Sequence, residues 1–209
     1  MTDRIPLFPL GLVLLPGEPV PLHIFEPRYR EMVALCLDED RPFGIVHASE
    51  SGMEKVGTTA WIRRVVTRYE DGRLDIVVVG ERRFRLDEVY RDQAYLTADV
   101  RMLEDAPLAP ADEAVRQRVV TQHMKLVEMA GEEVRPGLYD PPPEVSYIVG
   151  RNAGFEPDQK QKMLEMESEG ERLRFLAGHF AEIIKRVRRA KQLHTLAQGD
   201  GHASGEPEL

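Results

Sequence analysis

The sequence predicts an α+β protein, a small β-barrel in the first half joined to an α-helical subdomain in the second. Three observations carry this reading. Residues 1–105 hold short apolar runs separated by turn residues, the pattern of strands. Beyond them apolar residues recur at the spacing of helices. The run Asp105-Ala-Pro-Leu-Ala-Pro110 separates the two regimes. The expected organisation is a barrel with one inserted helix over 1–105, a helical subdomain over 106–196 and a flexible tail over 197–209.

Strands are expected near Ile5–Phe8 and Val20–Ile24, followed by a helix from Pro27 to about Asp38. Pro27 suits a first helical position, because its fixed φ favours entry and its missing N–H would be unpaired there. Glu26 adds a carboxylate near the positive helix end. Further strands are expected near Phe43–His47, Thr59–Tyr69, Arg73–Val79, Phe84–Tyr90 and Leu96–Leu103, with Gly52 and Gly57 bracketing a loop. Asp71-Gly72 between two β-rich runs is a strong hairpin signal. Gly80 offers a second turn, where positive φ costs little. Leu74, Ile76 and Val78 fall on one face and Val77 and Val79 on the other, so the sheet is covered on both sides or curled on itself. A small barrel is the economical solution.

In the second half, Asp112 to about Ala130 reads as a helix with Val115, Val119, Leu126 and Ala130 on one side, ended by Gly131. Pro141-Pro142-Pro143 opens a short helix to about Asn152, with Gly154 as a stop, and another runs from Pro157 to about Met166. Ser168-Glu-Gly-Glu171 fits a capping box for the longest helix. There Leu173, Leu176, Phe180, Ile183, Val187 and Ala190 form one stripe over about thirty residues. The stretch after Gln198 has too little apolar content to offset its ordering entropy.

Composition excludes several classes. One cysteine, Cys36, rules out an intramolecular disulfide scaffold, and no apolar run reaches the roughly 18 residues of a membrane helix. The N-terminus has neither a basic leader nor a small-residue cleavage site, so a cytoplasmic location is expected. The net charge of −8 disfavours non-specific binding to phosphate backbones. The six histidines show no ligand spacing, so neither a metal nor another cofactor is expected.

The run Ile5-Pro-Leu-Phe-Pro-Leu-Gly-Leu-Val-Leu-Leu-Pro-Gly-Glu-Pro-Val-Pro-Leu-His-Ile-Phe-Glu-Pro-Arg-Tyr-Arg30 resembles the opening of the N-terminal, substrate-binding domain of Lon proteases. Phe43-Gly-Ile-Val46, Val56-Gly-Thr-Thr-Ala-Trp-Ile62 and Asp71–Leu86 agree in order. Lys160–Glu165 and Arg172–Leu176 are similar to the helical continuation of that domain. The resemblance implies a PUA-like barrel followed by a helical bundle, contacting polypeptide substrate. The chain contains no Gly-Lys dipeptide and hence no Gly-x-x-x-x-Gly-Lys-Ser/Thr phosphate loop, so it looks like a free-standing member without the ATPase or protease parts.

Within the matching segment, His23, Phe25, Arg28 and Tyr29 concentrate aromatic groups, a cation and a donor where a strand passes into a helix. Two readings stand side by side. In one, Phe25 and Tyr29 pack beneath the helix, Glu26 caps it and Arg28 ties to a carboxylate. In the other, these residues form a peptide contact. Trp61, the only tryptophan, reads either as an anchor for that contact or as a partly buried core residue of its strand. Cys36 reads as a core thiol without a basic neighbour. Ser49, Ser51, Ser146, Ser168 and Ser204 read as loop or cap residues. Lys185, Arg186, Arg188, Arg189 and Lys191 form a basic patch on the long helix, for which the helix dipole gives a partial reason.

The expected function is non-catalytic binding of an unfolded or extended polypeptide in an apolar groove at the junction of barrel and helices, in association with a protease or chaperone system. The alternatives are RNA binding through the barrel edge and the 185–191 patch, and a hydrolase. No membrane partner is expected, and the oligomeric state is not legible in the sequence.

Overall fold

A computed structural model of the chain describes residues 3–106, 109, 112–139 and 144–199. It is a mixed α+β structure around one six-stranded sheet. The first half supplies β1 (Asp3–Leu10), β2 (Pro19–Ile24), α1 (Pro27–Asp38), β3 (Phe43–Ser49), β4 (Gly52–Arg68), β5 (Leu74–Tyr90) and β6 (Leu96–Met102). The second supplies α2 (Glu113–Met129), a 3₁₀ turn (Pro136–Tyr139), α3 (Val145–Gly150), α4 (Pro157–Glu165) and α5 (Glu169–Gly199). The triple proline and the tail beyond Gly199 lie outside the described residues.

The Asp71-Gly72 hairpin forms as its chemistry requires. Gly72 takes φ 83° and donates its amide to Tyr69 O at 3.0 Å, while the Tyr69 amide donates to Arg73 O at 3.0 Å. β4 and β5 then pair antiparallel over most of their 17 residues each. The sheet order is β2-β5-β4-β3-β1-β6, and β5 pairs β6 as well, so the pairing returns to β5. β1 and β3 are parallel, which needs a crossover; the segment carrying β2 and α1 provides it.

Two glycine expectations are overturned. Gly80 does not turn the chain but sits inside the continuous strand β5. A Cβ there would stand 2.3 Å from Leu15 O, so glycine lets the 11–18 loop approach the sheet. Gly17 N donates to Gly80 O at 2.7 Å, and Gly80 N donates to Glu18 O at 3.1 Å. Gly52 and Gly57 both belong to β4 rather than to a loop, and a Cβ on Gly57 would meet Ile45 O at 2.4 Å. At Gly80 and Gly57 close backbone approach, not φ, selects the residue, whereas Gly52 takes φ 128° with nothing within 4 Å of a Cβ.

The alternation on β5 survives tertiary folding, with Leu74, Ile76 and Val78 buried beside Ile24, Tyr29, Met32 and Val33. Ile5, Leu7, Val46, Phe84, Ala98 and Val100 form a second cluster within the sheet. The helical core of Val119, Leu173, Leu176 and Phe180 extends into the first half through Val13, Leu15 and Val56. On α2 the buried positions are Val119 and His123, while Ala130 is exposed. Among the described side chains the buried stripe of α5 runs to Ile184, and Ala190 is exposed. At its start, Glu171 N donates to Ser168 Oγ at 3.3 Å, but the Glu171 carboxylate accepts from Glu167 N, one residue before the expected cap.

Candidate functional site

The corner where β2 passes into α1 gathers most of the residues singled out in the sequence. Pairing of β2 with β5 sets His23 opposite Asp75. His23 Nδ1 lies 2.6 Å from Asp75 Oδ1, and Tyr69 OH donates to Asp75 Oδ2 at 2.7 Å. The His23 hydrogen bond, then the Tyr69 one, hold the Asp75 carboxyl below the usual carboxylate range. The same bond pushes the Tyr69 phenol up. The imidazole stacks on Phe25 at 6.0 Å between centroids and meets Tyr69 edge-on at 5.9 Å.

Tyr29 and Phe25 divide the two readings of this corner between them. Tyr29 is buried beneath α1 with its ring centroid 4.0 Å from that of Phe8. Phe25 is not packed there; it is 59% exposed. It lines a cavity of about 200 Å³ with Phe8, Leu10, Leu22, Ile24 and Tyr29. Glu26 makes no side-chain cap, and its carboxylate accepts from Arg28 Nε at 2.9 Å instead. The Arg28 guanidinium also lies 4.5 Å over the Tyr29 ring, so its charge is matched and its position fixed. Trp61 stands apart: half-buried on β4, it donates Nε1 to Glu81 at 2.6 Å and does not line this cavity.

The junction between sheet and helices is not the apolar groove expected. It holds a neutral cluster of four buried or nearly buried charges, in which Arg83 and Arg172 both pair with Asp105 and Arg172 pairs with Glu169 at 3.1 Å. Arg83 Nη1 donates to Leu164 O and Met166 O, each at 2.8 Å. Arg172 Nε donates to Ser146 Oγ at 2.9 Å. The adjoining cavity, about 400 Å³, is lined by Glu81, Arg82, Glu104, Asp105, Glu144 and Tyr147 among others. Burial first, and then the Asp105 charge, push the Glu144 carboxyl up.

A larger opening of about 1060 Å³ lies among the helices, lined by His123, Leu126, Leu138, Tyr139, Phe180 and Ile183. His123 Nδ1 and Tyr139 OH are 2.7 Å apart, and burial pushes the imidazole below its ordinary value. Cys36 is buried in α1, where burial pushes its thiol up to about 11. Among the described residues no group of three or more His, Cys, Asp or Glu is arranged to hold a metal. No described helix is long and apolar enough to cross a membrane.

With this geometry in hand, comparison with known proteins gives the family. The sequence matches the ATP-dependent protease La (LON) substrate-binding domain over residues 4–181. The chain belongs to the LON substrate-binding domain family. The Lon protease of Cytophaga hutchinsonii is 25% identical over 213 residues, covering 94% of this chain and 26% of that protein. The chain spans about a quarter of the length of the curated relatives it matches. The crystal structure of a Lon N-terminal domain protein from Xanthomonas campestris superposes with a TM-score of 0.66 at 26% identity, covering 84% of this chain and 98% of that one. The N-terminal domain of a Mycobacterium avium complex Lon protease superposes with a TM-score of 0.72 at 20% identity, covering 86% and 98%, and shares the fold.

The LON domain match encloses the β2–α1 corner and stops short of residues 185–191 on α5. Asp75 and Tyr69 were absent from the sequence candidates. The hairpin register, which makes Asp75 a cross-strand neighbour of His23, was the signal that could have found them.

Proposed function

We propose that this LON substrate-binding domain binds extended polypeptide without cleaving it, and that the corner formed by His23, Phe25, Arg28 and Tyr29 is the contact surface. The exposure of Phe25 carries this reading. A large apolar side chain held 59% exposed beside an apolar cavity is a poor stabiliser of the fold and a good anchor for a partner. The polar groups around it are paired, Arg28 with Glu26 and His23 with Asp75, so selection there is by shape and apolarity. The return of the sheet pairing to β5 and the packing of α2 on α5 support a PUA-like barrel with a helical bundle as the platform.

The candidate nucleophiles favour binding over hydrolysis. The Cys36 thiol is buried with its ionisation suppressed. Ser146 Oγ is engaged by Glu169 and Arg172 within the junction cluster. The His23–Asp75 pair has no serine or cysteine in hydrogen-bond contact with its imidazole among the described residues.

Titration calorimetry with a reduced, carboxymethylated polypeptide tests the reading. Binding with a negative heat-capacity change, weakened about tenfold or more by Phe25→Ala while the melting temperature holds, is the expected result. Unchanged affinity of the Phe25→Ala protein would remove the corner from consideration.

A further inference from the structure

The imidazole of His23 is held on three sides at the β2–α1 corner, yet one of its nitrogens has no partner. Nδ1 lies 2.6 Å from Asp75 Oδ1, Phe25 stacks on the ring with 21° between the planes, and Tyr69 meets it edge-on at 79°. Nε2 makes no hydrogen bond among the described residues, and the side chain is 44% exposed. Stability does not account for the arrangement, because a pair this exposed to water adds little to the fold.

Asp75 decides which nitrogen carries the ring hydrogen. Its carboxyl is held below the usual carboxylate range, first by His23 and then by Tyr69, so near neutral pH it is ionised and can only accept. Nδ1 is therefore the donor. In a neutral imidazole the other nitrogen then accepts, so Nε2 presents a lone pair. Tyr69 OH donates to Asp75 Oδ2 at 2.7 Å, which occupies the second carboxylate oxygen and leaves Oδ1 to the ring. The register that sets His23 opposite Asp75 builds this arrangement on paired strands, a more precise support than a loop.

On the reading of this corner as the contact surface, we infer that His23 Nε2 accepts a hydrogen bond from a main-chain N–H of the bound polypeptide. Asp75 and Tyr69 are the residues that position it for that role. Phe25 and Tyr69, both exposed, flank the ring, and a segment that covers them brings apolar side chains, which carry no donor. The donor such a segment still has is its peptide N–H. Covered without an acceptor, that N–H would lose its water unreplaced. Arg28 cannot serve it, because a guanidinium only donates, and both oxygens of Asp75 are engaged. An acceptor of this kind reads backbone rather than side chain, so the site takes extended apolar segments of varied sequence. Proline is the exception, since it has no N–H to offer at the position facing His23.

Calorimetry of the full chain with reduced, carboxymethylated α-lactalbumin at pH 8, together with proton–nitrogen NMR of the imidazoles, tests it. The free wild type should show the His23 hydrogen on Nδ1. In Asp75→Asn the Tyr69 hydroxyl holds the amide oxygen and turns the amide NH₂ toward Nδ1, which moves the ring hydrogen to Nε2 and makes the acceptor a donor. Affinity should then fall about three- to tenfold, the share of one net hydrogen bond, at an unchanged melting temperature. His23→Phe keeps a ring against Phe25 without the acceptor and should lose as much, and the double variant no more. A wild-type hydrogen on Nε2, a tautomer moved by Asp75→Asn with affinity undiminished, additive losses in the double variant, or wild-type binding by His23→Phe would each overturn the inference. If Phe25→Ala alone weakens binding, the contact surface stands without it. Full binding by Phe25→Ala, or none by the wild type, would remove the contact surface itself and this acceptor with it.

Discussion

Arg172 of α5, fully buried, holds the carboxylate of Asp105 at the point where the chain leaves the sheet. Arg83 of β5 grips the same carboxylate from the other side, so one acidic residue ties a strand to the longest helix. Glu169 completes a cluster of two cations and two anions. Removing Asp105 leaves two guanidinium groups in the interior with one carboxylate between them. Asp105→Ala is expected to lower the unfolding free energy by about 3–5 kcal/mol, read from urea denaturation. A loss below about 1 kcal/mol would mean that water already screens the cluster.

Gly80 and Gly178 are expected to respond to alanine with opposite signs. At Gly80 the new methyl meets the Leu15 carbonyl, which belongs to backbone and cannot swing aside, so Gly80→Ala should destabilise by about 1–3 kcal/mol. At Gly178, an exposed position within α5, nothing lies within 4 Å of the new atom. Gly178→Ala should stabilise by about 0.5–1 kcal/mol through lost unfolded-state entropy. Thermal melts of the two variants check both.

His123 makes stability depend on pH. Burial depresses its folded value below the unfolded one of about 6.5. Between the two values the unfolded chain binds more protons than the folded one, so this contribution is complete above about pH 6.5 and is lost as pH falls through the folded value. Urea midpoints measured from pH 7.5 to 5 should fall more steeply for the wild type than for His123→Gln, which does not titrate. Parallel curves would show that the Tyr139 contact tolerates a charged ring.

The Cys36 thiol should resist alkylation by iodoacetamide at pH 8 in the folded protein and react once urea unfolds it. Burial and an ionisation value of about 11 both act in that direction. Stoichiometric labelling of the native chain, followed by mass spectrometry, would show that α1 opens readily.

Local chemistry made much of this architecture legible before any coordinates. Asp71-Gly72 specified its hairpin, Pro27 the start of α1, and the alternation of Leu74, Ile76 and Val78 the buried face of β5. Each signal lies within a few residues of what it determines. Gly80 shows the limit: a turn glycine and a glycine of close approach look alike in sequence, and only the arrival of Leu15 distinguishes them.

The sequence by itself determined the helices, most of the strands, the family resemblance and the cluster at the β2–α1 corner, but it broke β5 at Gly80 and began β4 late, at Thr59. Tertiary structure alone decided which members of that cluster face solvent. Phe25 and Tyr29 are similar aromatics four residues apart, yet one is exposed beside a cavity and the other lies against Phe8. It alone placed Asp75 on His23 and closed the junction with Arg83, Asp105 and Arg172 rather than leaving it open. These outcomes join residues from about 20 to about 70 positions apart, and such contacts depend on strand register and on burial, which composition and local spacing do not encode.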